Sequence, residues 1–209
     1  MVRDPSRLKL HRFDASRITV HQGDMERIED LAPIIKTCHY VIHTATIWGG
    51  GDFANVINVD KTKTLFEATD DTLCERIIYF STASILGKGD KPVPAAGKYG
   101  GGYVRSKYAA HQMIPSLPMA HKITTLFPTL VFGGDHDFPQ SHITSGVYPN
   151  LNILRFIRYI YVDGGFHFLH ADDIAKISVH LMLNPHEKSE YILGCKPQTA
   201  KDTLSTLAS

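Results

Sequence analysis

Short apolar runs that end in small hydroxyl or glycine residues, separated by stretches with helical spacing, leave this chain few ways to fold. Tyr40-Val41-Ile42-His43 runs into Thr44-Ala45-Thr46, Ile77-Ile78-Tyr79-Phe80 into Ser81-Thr82-Ala83-Ser84, and Ile123 through Val131, broken by Pro128, into Gly133-Gly134. A brief apolar run without polar alternation is the form of a strand buried on both faces. Between the runs, Phe53, Val56, Ile57, Thr64, Leu65 and Ala68 trace a helix, and Ala109, Ala110, Met113 and Ile114 trace another from Ser106. Strands alternating with helices imply right-handed crossovers and an α/β fold, with a parallel sheet covered on both sides. Ligands of such sheets bind at the carboxyl ends of the strands, where this chain concentrates its small residues.

The same reading predicts a strand at Ile18-Thr19-Val20 leading into Gly23-Asp24, then a helix over Met25 to Lys36 with Pro33 awkward inside it. Asp135 to Asn150 reads as a loop, Leu151 to Arg158 as a short helix, and Tyr159-Ile160-Tyr161-Val162 and Phe166-His167-Phe168-Leu169 as strands around Asp163-Gly164-Gly165. Asp172 and Asp173 open a further helix, with Asp173 expected as its cap, and Tyr191-Ile192-Leu193-Gly194 is the last strand. A chain of 209 residues with a formal net charge of +1 has material for one sizeable core and no basic field for a nucleic acid. Cys38, Cys74 and Cys195 are far apart and lack metal-ligand spacing, so they are expected as small buried residues in a reducing compartment, with no metal site. Without an apolar run long enough for a membrane or a secretory opening, a cytoplasmic location is the default expectation.

Chemistry concentrates at Tyr103-Val104-Arg105-Ser106-Lys107, after Gly100-Gly101-Gly102. Tyr103 and Lys107 stand four apart, so a helix presents both on one face. A phenol titrates at about 10, and an ammonium beside it favours the phenolate, so Lys107 is expected to lower the Tyr103 pKa and make it an acid/base. His43, His170 and the His136-Asp137 pair are read as hydrogen-bonded structure, because nothing supplies a further metal ligand.

The chain resembles the extended short-chain dehydrogenase/reductases, also called NAD-dependent epimerase/dehydratases. The likeness rests on Gly23-Asp24, Val41-Ile42-His43-Thr44-Ala45, Asn58-Val59-Asp60-Lys61-Thr62, Phe80 through Gly87, Tyr103 through Lys107, Pro128 through Gly133, and Leu169 through Ala175, in the family's order and spacing. The resemblance implies a Rossmann-like core over residues 1–133 and a substrate-binding segment over 134–209, interleaved with the end of the core. It implies Thr82, Tyr103, Lys107 and Asn58 as the catalytic set, Thr82 orienting the reacting oxygen and Asn58 supporting the site or its proton relay. Asp24 and Met25 would lie against adenine, Thr44, Ala45 and Thr46 along the ribose and phosphates, and Ser81, Lys107, Pro128 and Thr129 near the nicotinamide end, beside Tyr103. Arg3 would sit where a guanidinium can pair with a 2′-phosphate, so the cofactor is NAD or NADP. Two departures stand out: no glycine-rich turn cradles a pyrophosphate, so the first strand and helix are expected to be missing, and Phe127 replaces an arginine common in relatives.

The implied function is hydride transfer between a ketone or secondary alcohol and the cofactor. The alternatives are a sugar-nucleotide epimerase or dehydratase that keeps its NAD bound, or a cofactor-sensing protein or inactive fragment without turnover. A small-molecule substrate is the expected partner, a homodimer the candidate assembly, and the loop Trp48-Gly49-Gly50-Gly51 a place where substrate identity is written.

Overall fold

In the computed structural model, residues 1–133 and 165–199 are described. The strands are β1 (Tyr40–His43), β2 (Arg76–Phe80), β3 (Ile123–Pro128), β4 (Leu130–Phe132), β5 (Gly165–Phe166), β6 (Phe168–His170), β7 (Glu190–Leu193) and β8 (Gln198–Thr199). The helices are α1 (Ala32–Ile35), α2 (Phe53–Asn55), α3 (Thr62–Glu67), α4 (Pro94–Tyr99), α5 (Gly102–Met113) and α6 (Ala171–Leu183). A parallel sheet of order β1-β2-β3-β7 forms the centre, with β4 paired to β6 and β5 to β8 beside it. The expected hairpin about residues 163–165 lies partly outside the described residues, as do the 135–150 loop, the 151–158 helix, the 159–162 strand and the His136-Asp137 pair.

Period-two alternation along β2 divides the core. Ile77 and Tyr79 face one layer with Met25, Ile28, Ile57, Leu65, Phe66 and Ile123, while Ile78 faces the other with Leu126, Leu169, Ile174, Leu181 and Leu193. Burying each Ile or Leu contributes about 1.5–3 kcal/mol, so both helical layers are held by the sheet they cover. Strand β3 is buried along its whole length between β2 and β7. Phe127 is 1% exposed against Ile85 and Ala96, so it is a core residue.

Several local expectations are corrected. Ile18-Thr19-Val20 forms no strand; Ile18 and Val20 are exposed and the nearest ladder contact is a single Val2–Gln22 bridge. A strand needs a hydrogen-bonded neighbour, and β1 pairs with β2 alone among the described residues. Pro33 begins a helix instead of breaking one: a tight 3-10 segment covers Met25–Leu31, and Pro33 falls in the first turn of α1, where a missing N–H costs nothing. His170, not Asp173, caps α6, its Nδ1 accepting from the Asp172 amide at 3.2 Å, with both aspartates in the first turn. The other end of α6 is capped across the fold by Arg76 of β2, which donates to the carbonyls of Leu181, Met182 and Asn184, groups a helix end leaves unpaired. Of the cysteines only Cys74 is buried; Cys38 is intermediate and Cys195 exposed.

Candidate active site

Helix α5 starts at Gly102, a turn earlier than the apolar pattern predicts, which brings Tyr103 onto it with Lys107 one turn on. Gly100 permits this start, since a Cβ there would stand 2.5 Å from the Ala96 carbonyl. Lys107 is 3% exposed, its Nζ donating to the Phe80 carbonyl at 2.7 Å and standing 4.9 Å from the centre of the Tyr79 ring. A protonated amine so far from water is disfavoured, and burial pushes the Lys107 pKa down to about 7. Burial also raises Tyr103 above the ordinary phenol value, and its hydrogen bond with Thr82 only partly offsets this. The expected depression of Tyr103 by Lys107 is therefore not what this arrangement produces: the amine is turned to Phe80 and Tyr79.

Thr82 follows just after the end of β2. Its Oγ1 accepts from the Ser84 amide at 3.2 Å, closing a 3-10 turn, and it lines the same cavity as the Tyr103 phenol. Ser81, one residue earlier, is 5% exposed and its hydroxyl has no partner among the described residues. Beneath them lies His43, its Nε2 3.0 Å from the Thr62 hydroxyl and its ring stacked on Tyr79. Burial, helped by the charge of Lys107, lowers the His43 pKa to about 3, so His43 is a neutral structural residue as expected.

Asn58 sits in a π-helical turn, Val56–Lys61, between α2 and α3. It is 1% exposed and fully used: Oδ1 accepts from the Thr46 hydroxyl and the Ile47 amide, and Nδ2 donates to the Ile47 carbonyl and the Ser106 hydroxyl, all at 2.9–3.0 Å. Ser106 in turn donates to the Tyr103 carbonyl at 2.8 Å. One buried amide thus ties the loop after β1 to the helix that carries Tyr103. A π-turn in a helix commonly marks such a site, because the extra residue re-aims a side chain.

Two cavities line the carboxyl ends of the strands and share Thr46 as a wall. The first, about 280 Å³, brings Arg3, Asp24, Met25, Ala45 and Thr46 together with Glu26. Its Arg3 and Asp24 form an exposed ion pair at 3.8 Å. The second, about 170 Å³, gathers Thr44, Thr46, Ser81, Thr82, Tyr103, Lys107, Pro128 and Thr129, joined by Phe80, Trp48 and Val131. All the residues singled out from sequence therefore line one cavity or the other, except Asn58, which supports the second from behind. Trp48, read only as part of a loop, is stacked on Tyr103 with ring centres 4.3 Å apart and planes 13° from parallel. Nothing in its local sequence signals that contact.

The model of the NAD dependent epimerase/dehydratase family matches residues 2–194. Among curated proteins none matches the chain. Similar solved structures include gox2253, 25% identical, with a TM-score of 0.67 over 90% of this chain and 59% of that one. The Bordetella bronchiseptica enzyme WbmG in complex with NAD is 14% identical, with a TM-score of 0.64 over 90% of this chain and 62% of that one. The UDP-N-acetylglucosamine 4-epimerase of Methanobrevibacter ruminantium M1, in complex with UDP-N-acetylmuramic acid, is 18% identical, with a TM-score of 0.66 over 94% and 70%. The chain thus spans about three fifths of the length of the first two.

Proposed function

The chain belongs to the NAD dependent epimerase/dehydratase family, and on that premise we propose that it is an NAD(P)-dependent oxidoreductase interconverting a ketone and a secondary alcohol. The observation that carries this reading is the gathering of Tyr103, Thr82 and Lys107 in one cavity at the carboxyl ends of β2 and β3. Thr82 orients the substrate oxygen, and Tyr103 passes its phenolic proton to that oxygen in reduction or takes it back in oxidation. Asn58 is a positioning residue, acting through Ile47 and Ser106.

The residues present fit a dinucleotide. The unpartnered Ser81 hydroxyl, buried in the cavity wall beside Lys107, needs a polar partner such as a ribose hydroxyl. Gly23 is the only glycine among the described residues lining the two cavities, so the diphosphate would be met by the small residues Thr44, Ala45 and Thr46 where the cavities adjoin. When bound, the cofactor supplies hydride chemistry at its nicotinamide ring.

Mixing the protein with NADH or NADPH and a ketone panel tests the proposal: reduced cofactor should disappear from solution in step with alcohol formed. The family match and the likeness to a nucleotide-sugar epimerase favour a second reading, inversion or dehydration of a sugar nucleotide with the cofactor retained. Conversion of a UDP-sugar without net change in cofactor would establish it and sink the first. Cofactor binding with neither conversion would leave a sensing role.

For cofactor choice, the first cavity sets Asp24 and Glu26 against Arg3 alone. A carboxylate suits a ribose diol and repels a 2′-phosphate, so NAD should bind more tightly than NADP, and Arg3→Ala should change either affinity less than about threefold. Tighter NADP binding that Arg3→Ala abolishes would assign Arg3 to the phosphate instead.

A further inference from the structure

We propose that Tyr79 is a positioning residue for the reaction: the face of its ring holds the Lys107 ammonium at the cavity wall, where the cofactor meets it. The inference deepens the oxidoreductase reading and rests on it for the identity of the cofactor.

The placement of the ring is built. Tyr79 of β2 is 0% exposed and belongs to a cluster of three rings drawn from three elements. His43 of β1 stacks on it at 5.8 Å and 19°, Phe66 of α3 meets it edge-on at 5.7 Å, and His43 and Phe66 meet each other at 5.7 Å. His43 is held in turn at 3.0 Å from the Thr62 hydroxyl. A ring locked in this way presents a fixed face, to which the flexible lysine side chain comes. Lys107 Nζ stands 4.9 Å from the ring centre, inside the ~6 Å reach of a cation–π contact, and such contacts strengthen away from water.

What Tyr79 offers there is its ring and not its hydroxyl. The hydroxyl is buried with no hydrogen-bond partner among the described residues, and burial raises the phenol's pKa, so it stays neutral and supplies no anion. The titratable side chains facing Lys107, among the described residues, are His43 from β1, Tyr79 from β2 and Tyr103 from its own helix. Burial keeps His43 neutral, so it does not repel the amine. An ammonium has three donors. One goes to the Phe80 carbonyl at 2.7 Å and the ring face takes a second, which leaves one for the cavity that Lys107 lines with Ser81. Burial alone favours the neutral amine, a weaker donor to a ribose hydroxyl, and the ring opposes that loss of charge.

Fluorinating the ring tests this with little change of shape, because fluorine withdraws the electron density that attracts the cation. In the cofactor-free chain, stability should begin to rise with pH near 7, where folded Lys107 sheds its proton. Mono-, di- and pentafluorophenylalanine in place of Tyr79 should move that onset down progressively, by about one pH unit for the last. Tyr79→Phe keeps the ring face and should leave the onset where it is. At about pH 6.5 the pentafluoro chain should bind NAD about threefold more weakly than the Tyr79→Phe chain, and the two should converge by about pH 9, where the amine is neutral in both. An onset indifferent to fluorination would make Tyr79 a core residue and overturn the assignment. A shift in Tyr79→Phe as large as that in the fluorinated chains would give the role to the hydroxyl and overturn it too, as would NAD affinity that ignores a moving onset. The mono- and difluoro chains carry the comparison if the pentafluoro chain does not fold. The onset needs neither cofactor nor turnover, so a chain that binds no NAD or converts no ketone sinks the oxidoreductase reading, while the onset still decides whether the ring holds Lys107.

Discussion

Tyr103→Phe is expected to reduce turnover by about 10²–10⁴-fold while leaving cofactor affinity within about twofold, because the hydroxyl acts in the transition state and not in holding the dinucleotide. The ring remains, so the stack on Trp48 and the packing of α5 persist. Burial raises the phenol's pKa, so at neutral pH Tyr103 is protonated and ready to donate. Carbonyl reduction should therefore run at full rate through neutral pH and fall only in the alkaline range where the phenol ionises. Alcohol oxidation, which needs the phenolate as base, should rise with pH over that range. A Tyr103→Phe variant that keeps most of its activity, or a reduction rate that climbs with pH, would show that another group moves the proton.

The sheet was readable because its strands are short, apolar and bounded by small residues, and because β2 alternates between two helical layers. The Tyr103–Lys107 pair was readable from its four-residue spacing only in company with the hydroxyl-rich strand ends and the other motifs in order along the chain. Ile18-Thr19-Val20 misled for the complementary reason: it has strand composition, but pairing is decided by neighbours in space, and among the described residues β1 offers its ladder only to β2. Asn58 was visible as a family position, yet its π-turn and its grip on Ile47 depend on where the β1 loop returns, which spacing does not encode. The orientation of Lys107 was lost for a similar reason. A flexible four-carbon side chain goes to the nearest carbonyl and ring the fold supplies, and those belong to β2, far away in sequence. Trp48 shows the limit most plainly, since the partner of an aromatic in a glycine-rich loop is set by the loop's anchor.

Lys107 carries the second large prediction. In the unfolded chain its amine titrates near the ordinary 10.5, whereas in the folded chain it titrates at about 7 because it is buried. Between those values the unfolded state holds a proton that the folded state has shed, so stability rises with pH from about 7 to about 10, by at most ~1.4 kcal/mol per pH unit. Below about 7 both states are protonated and the contribution is flat at its least favourable. His43 works in a separate window, since its folded pKa of about 3 lies under the ordinary 6.5 and its contribution is gained as pH climbs between them. The raised phenols of Tyr79 and Tyr103 act above about 10, where the unfolded phenol ionises first and stability is lost. The interval from 7 to 10 thus distinguishes Lys107 from these three groups. Denaturant unfolding of the cofactor-free chain at pH 6.5, 8 and 9.5 should show a gain in which Lys107→Met differs from the parent by roughly 2–4 kcal/mol across the range, the variant being the flatter. Identical slopes in the two proteins would mean that Lys107 keeps its proton when buried, held by the Phe80 carbonyl and the Tyr79 ring. The same variant should lose turnover and weaken cofactor binding, because the amine that burial makes costly at acid pH is the donor beside the unpartnered Ser81 hydroxyl, where the ribose of a nicotinamide would be received.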